Sequence, residues 1–357
     1  MHVMTVVGAR PQFVKAAPVS RALQRAGIRE TLVHTGQHYD VKMSDVFFDE
    51  LGLSDPLHHL DVGSGGHGAQ TGRIMERLEP VLASVAPDWL LVYGDTNSTL
   101  AGALVAAKCH VPVAHVEAGL RSFDRRMPEE VNRVLTDHMS TRLYVPTPTA
   151  VANLAAEGIR GPAVRVVGDV MFDAVRLFGG ASEREPGVLD REGLIGRPFA
   201  LVTIHRAENT DAPARLSAIL EGLETLSATL PVVWPVHPRL RDRLAGVSLP
   251  ASVHRVEPLP YVEMLRTQQR ASVIVTDSGG LQKEAFFARV PCVTLRDTTE
   301  WVETVALGWN RLVPPEDGRT IANAVLAVVG TEGRDGAPYG DGAAADRIAA
   351  DLLQPVS

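Results

Sequence analysis

A chain of 357 residues, 45% hydrophobic and 22% charged, is long enough for two domains that each bury a core. Its net charge of −7, from 35 Lys and Arg against 42 Asp and Glu, argues against nucleic acid as a partner, because phosphate-backbone affinity comes from basic clusters. The opening MHVMTVVGAR reads as a first strand rather than a secretion signal, so no membrane association is expected. Cys109 and Cys292 lie beside Val-Pro stretches that suit small buried side chains, which points to a reducing, cytoplasmic setting without disulfides.

Val3 to Val7 is an apolar run followed by GARPQFVKAAP, in which Val14, Ala17, Leu23 and Ala26 recur at helical spacing. This is a strand feeding a helix without the GxGxxG turn, so bound NAD is not expected. Arg10 and Lys15 put two cations at the helix start, where backbone N–H groups already favour anions. Equally, Arg10 can cap the turn and Lys15 can be a solvated helix residue. A strand at Thr31 to His34 ends in TGQHYD, and the Gly-rich DVGSGGHGAQTG precedes a helix from about Arg73 to Ala86. Trp89 to Tyr93 is the next strand, with Asp95 at its carboxyl end. Val111 to Val116 then runs into Glu117, and Gly119 turns the backbone. Pro128 opens a helix in which Val131, Val134, Leu135 and His138 recur, so Glu129 and Glu130 fall in its first turn, where acids also complement the helix dipole. Strands at Leu143 to Val145 and Val164 to Val167 complete an alternation that predicts a parallel sheet.

Near Gly168 the pattern restarts, giving an N-terminal domain over 1–168, joined by a C-terminal helix at 341–357, and a second domain over 169–340. Residues 179–198 read as a polar surface connection. Phe199 to Ile204 ends in His205 and Arg206, Val232 to Val236 in His237, Val273 to Thr276 in DSGGLQKEA, and Cys292 to Leu295 in Arg296. The fold class is therefore α/β, with two Rossmann-like domains, and both are expected to turn strand ends toward one cleft. Ser278, Gly279 and Gly280 can bring backbone N–H groups to a helix N-terminus, which suits a diphosphate, and Glu284 can accept from ribose hydroxyls. Such a strand, loop and acid resemble the nucleotide-sugar site of glycosyltransferase-B-like folds. No HExxH, paired CxxC or DxD cluster appears, so no metal is expected.

GARPQFVKAAP, TGQHYD, YGDTNSTLAGA, HVEAGLRS, PEEVNR, HRAEN, PVHPR, TDSGGLQKEA, RDTTEWVE and PYGDG, in this order, resemble the motifs of the non-hydrolysing UDP-N-acetylglucosamine 2-epimerases over nearly the whole chain. The resemblance implies a homodimer that uses no cofactor, neither NAD nor metal, as a chemical participant. It implies a UDP-sugar partner whose C2 is inverted by eliminating UDP to a 2-acetamidoglucal and adding it back, giving UDP-N-acetylmannosamine. By resemblance, Asp95, Glu117 and Glu129 are the catalytic carboxylates, and His205 with Lys15 supports the sugar and diphosphate chemistry. Arg10, Ser278, Gly279, Gly280 and Glu284 match UDP-binding positions, and Arg206, His237 and Arg296 are further substrate-binding candidates.

Departures from the family pattern widen the substrate question. Many members read TERPE where this chain has Glu300, Trp301, Val302 and Glu303, so an Arg and a Pro near the sugar are missing. The wording HTGQHYD, SGGLQKEAFF and TEWVE is similar to relatives that include epimerases of UDP-2,3-diacetamido-glucuronate, whose carboxylate would want a cation such as Arg121, Arg125 or Arg126. A hydrolysing epimerase, a glycosyltransferase and a noncatalytic nucleotide-sugar sensor are three further readings of the same residues. Many bacterial members also bind UDP-N-acetylglucosamine as an activator through a Gln-His-x-Gln loop and an Arg-Gln pair. Here those positions are Gln37, His38, Tyr39 and Asp40, then Ala69 and Gln70. An added anion and a lost guanidinium remove contacts worth about 1.5 to 3 kcal/mol each, so activation is not expected.

Overall fold

The computed structural model describes residues 1–37, 51–53, 56–180 and 187–355. They form two compact units, Met1–Leu177 with Ala337–Ser357, and Phe178–Gly336.

The first unit is built on a parallel sheet of β1 (His2–Val7), β2 (Arg29–His34), β3 (His58–His59), β4 (Trp89–Tyr93), β5 (Val113–Val116), β6 (Arg142–Val145) and β7 (Val164–Val166), in the order β3-β2-β1-β4-β5-β6-β7. β1, β4, β5 and β6 are buried at every position, as expected of central parallel strands covered on both faces. The helices are α1 (Arg10–Arg25), α2 (His67–Val85), α3 (Asn97–Lys108), α4 (Pro128–Met139), α5 (Pro148–Ala156) and α6 (Val170–Phe178). One face of the core joins Met4, Val6, Leu90 and Val92 of the sheet to Ile74 and Leu78 of α2 and Ala101 and Val105 of α3. α3 lies close to the sheet because a Cβ on Gly102 would already stand 3.2 Å from Val92 Cγ1.

The chain returns to this unit at its end. Asp173 of α6 accepts from the Ala344 and Ala345 amides at 3.2 and 2.8 Å, and Asp169 N donates to Tyr339 O at 2.9 Å. From helix Ala344–Leu352, Asp351 takes the Tyr144 hydroxyl at 3.0 Å and pairs with Arg165 at 2.8 Å and Arg142 at 3.3 Å. These bonds hold most of α6 in the first unit, which runs to Leu177 before the second begins at Phe178.

The second unit repeats the plan with β8 (Ala200–Thr203), β9 (Val232–Pro235), β10 (Val253–Val256), β11 (Val273–Thr276), β12 (Cys292–Thr294) and β13 (Asn310–Leu312), ordered β10-β9-β8-β11-β12-β13. Its core gathers around Trp234, Val202 and Val275. The helices Pro213–Ser227 and Gly318–Val328 touch through glycines, a Cβ on Gly222 standing 3.0 Å from Gly318 O. Both sheets reverse their winding beside the first strand, between β1 and β4 and between β8 and β11, which is where ligands bind in such sheets.

Several expectations need correction. α2 begins at His67, six residues before Arg73, because the Gly-rich stretch joins the helix and buries Gln70. β3, β10 and β13 are too short or too polar to stand out by pattern. Residues 179–198 are not all surface: the short helix Val188–Arg191 buries Val188 and Leu189, while 181–186 lie outside the described residues. Cys292 is buried but Cys109 is exposed, since it follows the last turn of α3. Among the described residues no helix is long and apolar enough to cross a membrane.

α4 is turned against its hydropathy. It buries Glu130, Asn132, Arg133, Thr136 and Asp137, and exposes Val131 and Leu135. Of these, Glu130, Asn132, Arg133 and Asp137 are paired with one another, with Asp95 and His115 and with loop amides, which offsets the cost of burying them, while Thr136 Oγ1 is buried without a hydrogen-bond partner among the described residues.

Candidate active site

In the first unit the switch point is tied together by Gln12 of α1. Its Oε1 accepts from Gly8 N and Ala9 N at 2.8 and 3.2 Å, and its amide donates to Tyr93 O at 2.8 Å and Thr99 Oγ1 at 2.9 Å. The same helix aims Lys15, a residue 9% exposed, inward, where its ammonium pairs with Glu117 Oε2. Lys15 is thus a buried cation and not a solvated helix residue. Gly94 is pressed against this pair, a Cβ there standing 3.3 Å from both Lys15 Nζ and Glu117 Oε2.

Glu117 has φ of +71°, a left-handed conformation that costs a non-glycine residue on the order of 1 to 3 kcal/mol. The strain is held by the end of β6, whose Tyr144 O accepts from both Glu117 N and Ala118 N at 3.1 Å. The carboxylate therefore leaves β5 at an angle an ordinary strand residue would not reach.

Asp95 follows β4 and keeps a partly open carboxylate, whose Oδ2 accepts from Arg133 at 2.5 Å. Arg133 also pairs with Glu130 at 3.0 Å. Glu130 is 2% exposed and accepts from Ser122 N, Ser122 Oγ and Phe123 N, each at 2.9 Å. The two glutamates of α4 thus separate in role: Glu130 anchors the 122–123 loop, and Glu129 beside it is exposed. Asn132 fixes the same turn by donating to Asp95 O at 2.9 Å.

Below these acids runs a buried chain of charge. His115 is bonded through Nδ1 to Asp137 Oδ1 and through Nε2 to Gly94 O, both at 2.7 Å. Asp137 Oδ2 accepts from Arg121 at 2.7 Å and Gly119 N at 3.1 Å. Burial would raise the Asp137 carboxyl, but His115 and Arg121 outweigh it and hold the group below its ordinary value. Arg121 closes a two-bond fork on Glu157 at 2.7 Å and donates to Leu120 O at 2.6 Å. It is therefore locked into the fold and is not the cation for a sugar carboxylate. Arg126 is held by Asp124 at 2.8 Å, while Arg125 is exposed.

In the second unit the organiser is Asp277, fully buried between β11 and the loop after β8. It accepts from His205 N at 3.1 Å, Arg206 N at 3.0 Å and the Asn209 amide at 3.1 Å. Burial raises this carboxyl too, yet the His205 bond and charge and these N–H donors bring it below its usual value. His205 Nδ1 lies 3.2 Å from Asp277, and its ring is 5.7 Å from that of His237. His237 Nδ1 accepts from Arg239 N at 3.2 Å, which leaves its Nε2 as the protonated nitrogen. Ser278 N-caps the helix Gly279–Phe287 without a side-chain cap bond, and its half-buried loop continues through Gly279 and Gly280. Space over Gly280 is open, whereas a Cβ on Gly279 would stand 2.6 Å from Glu300 Oε1. Glu284 is buried and accepts from Gln268 at 2.8 Å. Arg296, 2% exposed, pairs with Glu300 at 3.0 Å, so it braces this loop from beneath. Lys283 lies 3.9 Å over the Trp301 ring.

The first unit thus brings together Lys15, Glu117 and Gly94, and separately Asp95, Arg133 and Glu130; the second gathers His205, His237, Arg206 and Asp277. Arg10 is half-buried at the start of α1. Sequence reasoning missed Asp277, His115, Arg133 and Asp137. Asp277 lay inside TDSGG, and a buried aspartate at a strand end was the available signal. Of the activator positions, His38, Tyr39 and Asp40 lie outside the described residues. Gln37 Oε1 accepts from Ser98 N and Oγ at 3.0 and 2.6 Å, and Gln70 donates to Gln37 O at 3.1 Å and Gly63 O at 2.8 Å. Among the described residues no group of three or more His, Cys, Asp or Glu is arranged to hold a metal ion.

A family model described as UDP-N-acetylglucosamine 2-epimerase matches residues 21–353. The chain is 47% identical over 353 residues to a UDP-2,3-diacetamido-2,3-dideoxy-D-glucuronate 2-epimerase of Pseudomonas aeruginosa, covering 98% of both chains. It is 42% identical over 358 residues to a UDP-N-acetylglucosamine 2-epimerase of Methanocaldococcus jannaschii, again 98% of each. A crystal structure of a Methanocaldococcus jannaschii UDP-GlcNAc 2-epimerase in complex with UDP-GlcNAc and UDP superposes with a TM-score of 0.91 at 41% identity, covering 99% of each chain.

Proposed function

This chain belongs to the UDP-N-acetylglucosamine 2-epimerase family and is an isomerase, and on that premise we propose that it interconverts UDP-N-acetylglucosamine and UDP-N-acetylmannosamine by removing and restoring UDP. The observation that supports this reading is the placing of Asp95 and Glu117 at the carboxyl ends of the adjacent strands β4 and β5, each already paired with a cation.

The hydrogen on C2 of the sugar is weakly acidic, so its loss must accompany departure of the leaving group. A carboxylate takes the C2 proton, the C1–O bond breaks with its electron pair going to UDP, and C1=C2 forms in the 2-acetamidoglucal. Return of a proton to the opposite face with re-addition of UDP at C1 gives the inverted sugar. Carboxylates at Asp95, Glu117 and Glu129 act as bases and stabilise positive character at C1. The Lys15 ammonium offsets the Glu117 charge in a buried setting. In the second unit, His205 is oriented through Nδ1 by Asp277 and so offers Nε2 to the diphosphate, along with the N–H groups of Gly279 and Gly280, the Ser278 N–H being bonded to Thr276 Oγ1 at 2.9 Å. Glu284 takes the ribose.

A second reading is favoured by the 47% identity to the Pseudomonas aeruginosa enzyme: a 2,3-diacetamido uronate sugar in place of N-acetylglucosamine. Proton NMR in D2O with each UDP-sugar decides both questions. Deuterium at C2 with the product still attached to UDP is expected from UDP-N-acetylglucosamine. Deuteration only of the uronate moves the substrate to the second reading, and release of free N-acetylmannosamine moves the enzyme to hydrolysis. We further assign the enzyme to the cytoplasm as a homodimer, for which the outward Val131 and Leu135 of α4 offer apolar cover. A monomer by light scattering would refute the dimer.

A further inference from the structure

We infer that the buried pair His115 and Asp137 positions the acids of the first unit, setting the turn that carries Asp95 in register with the turn that carries Glu117. This rests on the reaction proposed above.

Asp137 reaches both turns. Its Oδ2 receives Gly119 N, two residues beyond Glu117, and its Oδ1 receives His115 Nδ1. His115 carries the connection across to β4, where Nε2 meets Gly94 O, the carbonyl immediately before Asp95. Gly94 has φ of +63° and its own N–H donates to Val116 O at 3.0 Å, so the turn is fixed from both sides of its peptide. Asp137 sits on α4, the helix that also bears Glu129 and the Arg133 that pairs with Asp95. One carboxylate thereby links all three proposed catalytic acids to a single rigid helix.

The hydrogen-bond count fixes the state of the ring. A carboxylate and a carbonyl are both acceptors, and each lies 2.7 Å from a ring nitrogen, so His115 must donate from both. The charged groups around it are Asp137, Arg121 behind Asp137, and Glu157, which also lies 3.3 Å from His138. His115 and Asp137 are fully buried, so neither touches substrate. They act through the turns, as positioning residues.

Asparagine and glutamine separate the two halves of the device, because an Asn amide falls near Nδ1 and a Gln amide near Nε2. His115→Asn keeps the bond to Asp137 and frees Gly94 O; His115→Gln keeps Gly94 O and frees Asp137. A misplacement of about 1 Å in a reacting group costs about 100-fold in rate. His115→Asn is therefore expected to lower kcat about 100-fold with KM and the UDP dissociation constant unchanged, and His115→Gln to recover part of that loss. A residue that merely fills space would lower stability in both variants and kcat in neither. A folded His115→Asn with wild-type kcat overturns the inference. Nitrogen-15 NMR of the histidine rings in the unmodified protein at neutral pH supplies a test independent of activity and of variant folding. Two N–H groups on His115 are expected, and a single one overturns the assignment. Should neither UDP-sugar react with the wild-type protein, the proposed reaction fails, while the ring spectrum still decides the His115 state.

Discussion

Glu129 and Glu130 are neighbours in sequence, and exchanging each for glutamine should have opposite consequences. In Glu130→Gln the amide cannot reproduce the carboxylate. Oε2 accepts from three donors and Oε1 from one, so the least costly rotamer places NH2 against Phe123 N and loses that bond. The charge facing Arg133 disappears as well. Breaking a buried pair costs about 3 to 5 kcal/mol, and the lower end applies because Arg133 keeps Asp95. At roughly 2 to 4 °C per kcal/mol for a unit of this size, about 3 kcal/mol lowers the melting midpoint by about 6 to 12 °C. Glu129→Gln removes an exposed group, so its stability should stay within about 0.5 kcal/mol of wild type while kcat falls on the order of 10² to 10⁴. Differential scanning calorimetry and initial rates on both variants give the comparison. A Glu130→Gln midpoint within about 2 °C of wild type, or a Glu129→Gln drop as large as that of Glu130→Gln, would refute the division of roles.

Glu117→Gln should fold with reduced stability, since Lys15 loses its buried carboxylate, and bind UDP normally in calorimetry yet lose most turnover; wild-type rates in that variant would remove Glu117 from the reaction. Gly8→Ala should destabilise by about 3 kcal/mol in urea, since its Cβ would stand 2.1 Å from Thr35 Oγ1 and 2.2 Å from Ser98 Oγ and would part that buried hydroxyl pair; a loss below about 1 kcal/mol contradicts the geometry. Native protein should show one reactive thiol, Cys109, while Cys292, pushed up to about 12 by burial, reacts only after unfolding; two fast thiols in a disulfide-exchange assay would count against this. The reverse reaction from UDP-N-acetylmannosamine alone should run without a lag, and dependence on trace UDP-N-acetylglucosamine would show that an activator site persists despite Asp40 and Ala69.

The alternation of strands was legible because Val3 to Val7, Trp89 to Tyr93 and Val273 to Thr276 are continuous apolar runs, the signature of strands covered on both faces. The strand-end residues were legible for the same reason: the run stops and Asp95, Glu117, His205 and Ser278 follow. Direction of a helix face was not. Val131 and Leu135 mark a period, but the buried side of α4 is decided by Asp137 meeting His115 and Arg121, and Glu130 meeting the 122–123 loop. Those partners are distant in sequence, so no local pattern can weigh them. Lys15 was ambiguous likewise, since its partner lies 102 residues away. Arg121 looked available because its charge was visible and its fork on Glu157 was not.

The return of 337–357 to the first unit sets an order of events during synthesis. The second unit is continuous in the chain, so all of its strands have left the ribosome before Asp351 can reach Tyr144, Arg142 and Arg165. The unit that begins first is therefore completed last, reversing the usual N-terminal lead in folding. Until then β6 lacks its Asp351 partner and α6 lacks the amides that Asp173 receives. Translation thus finishes the second unit before the strand ends that bear Asp95 and Glu117 acquire their final support.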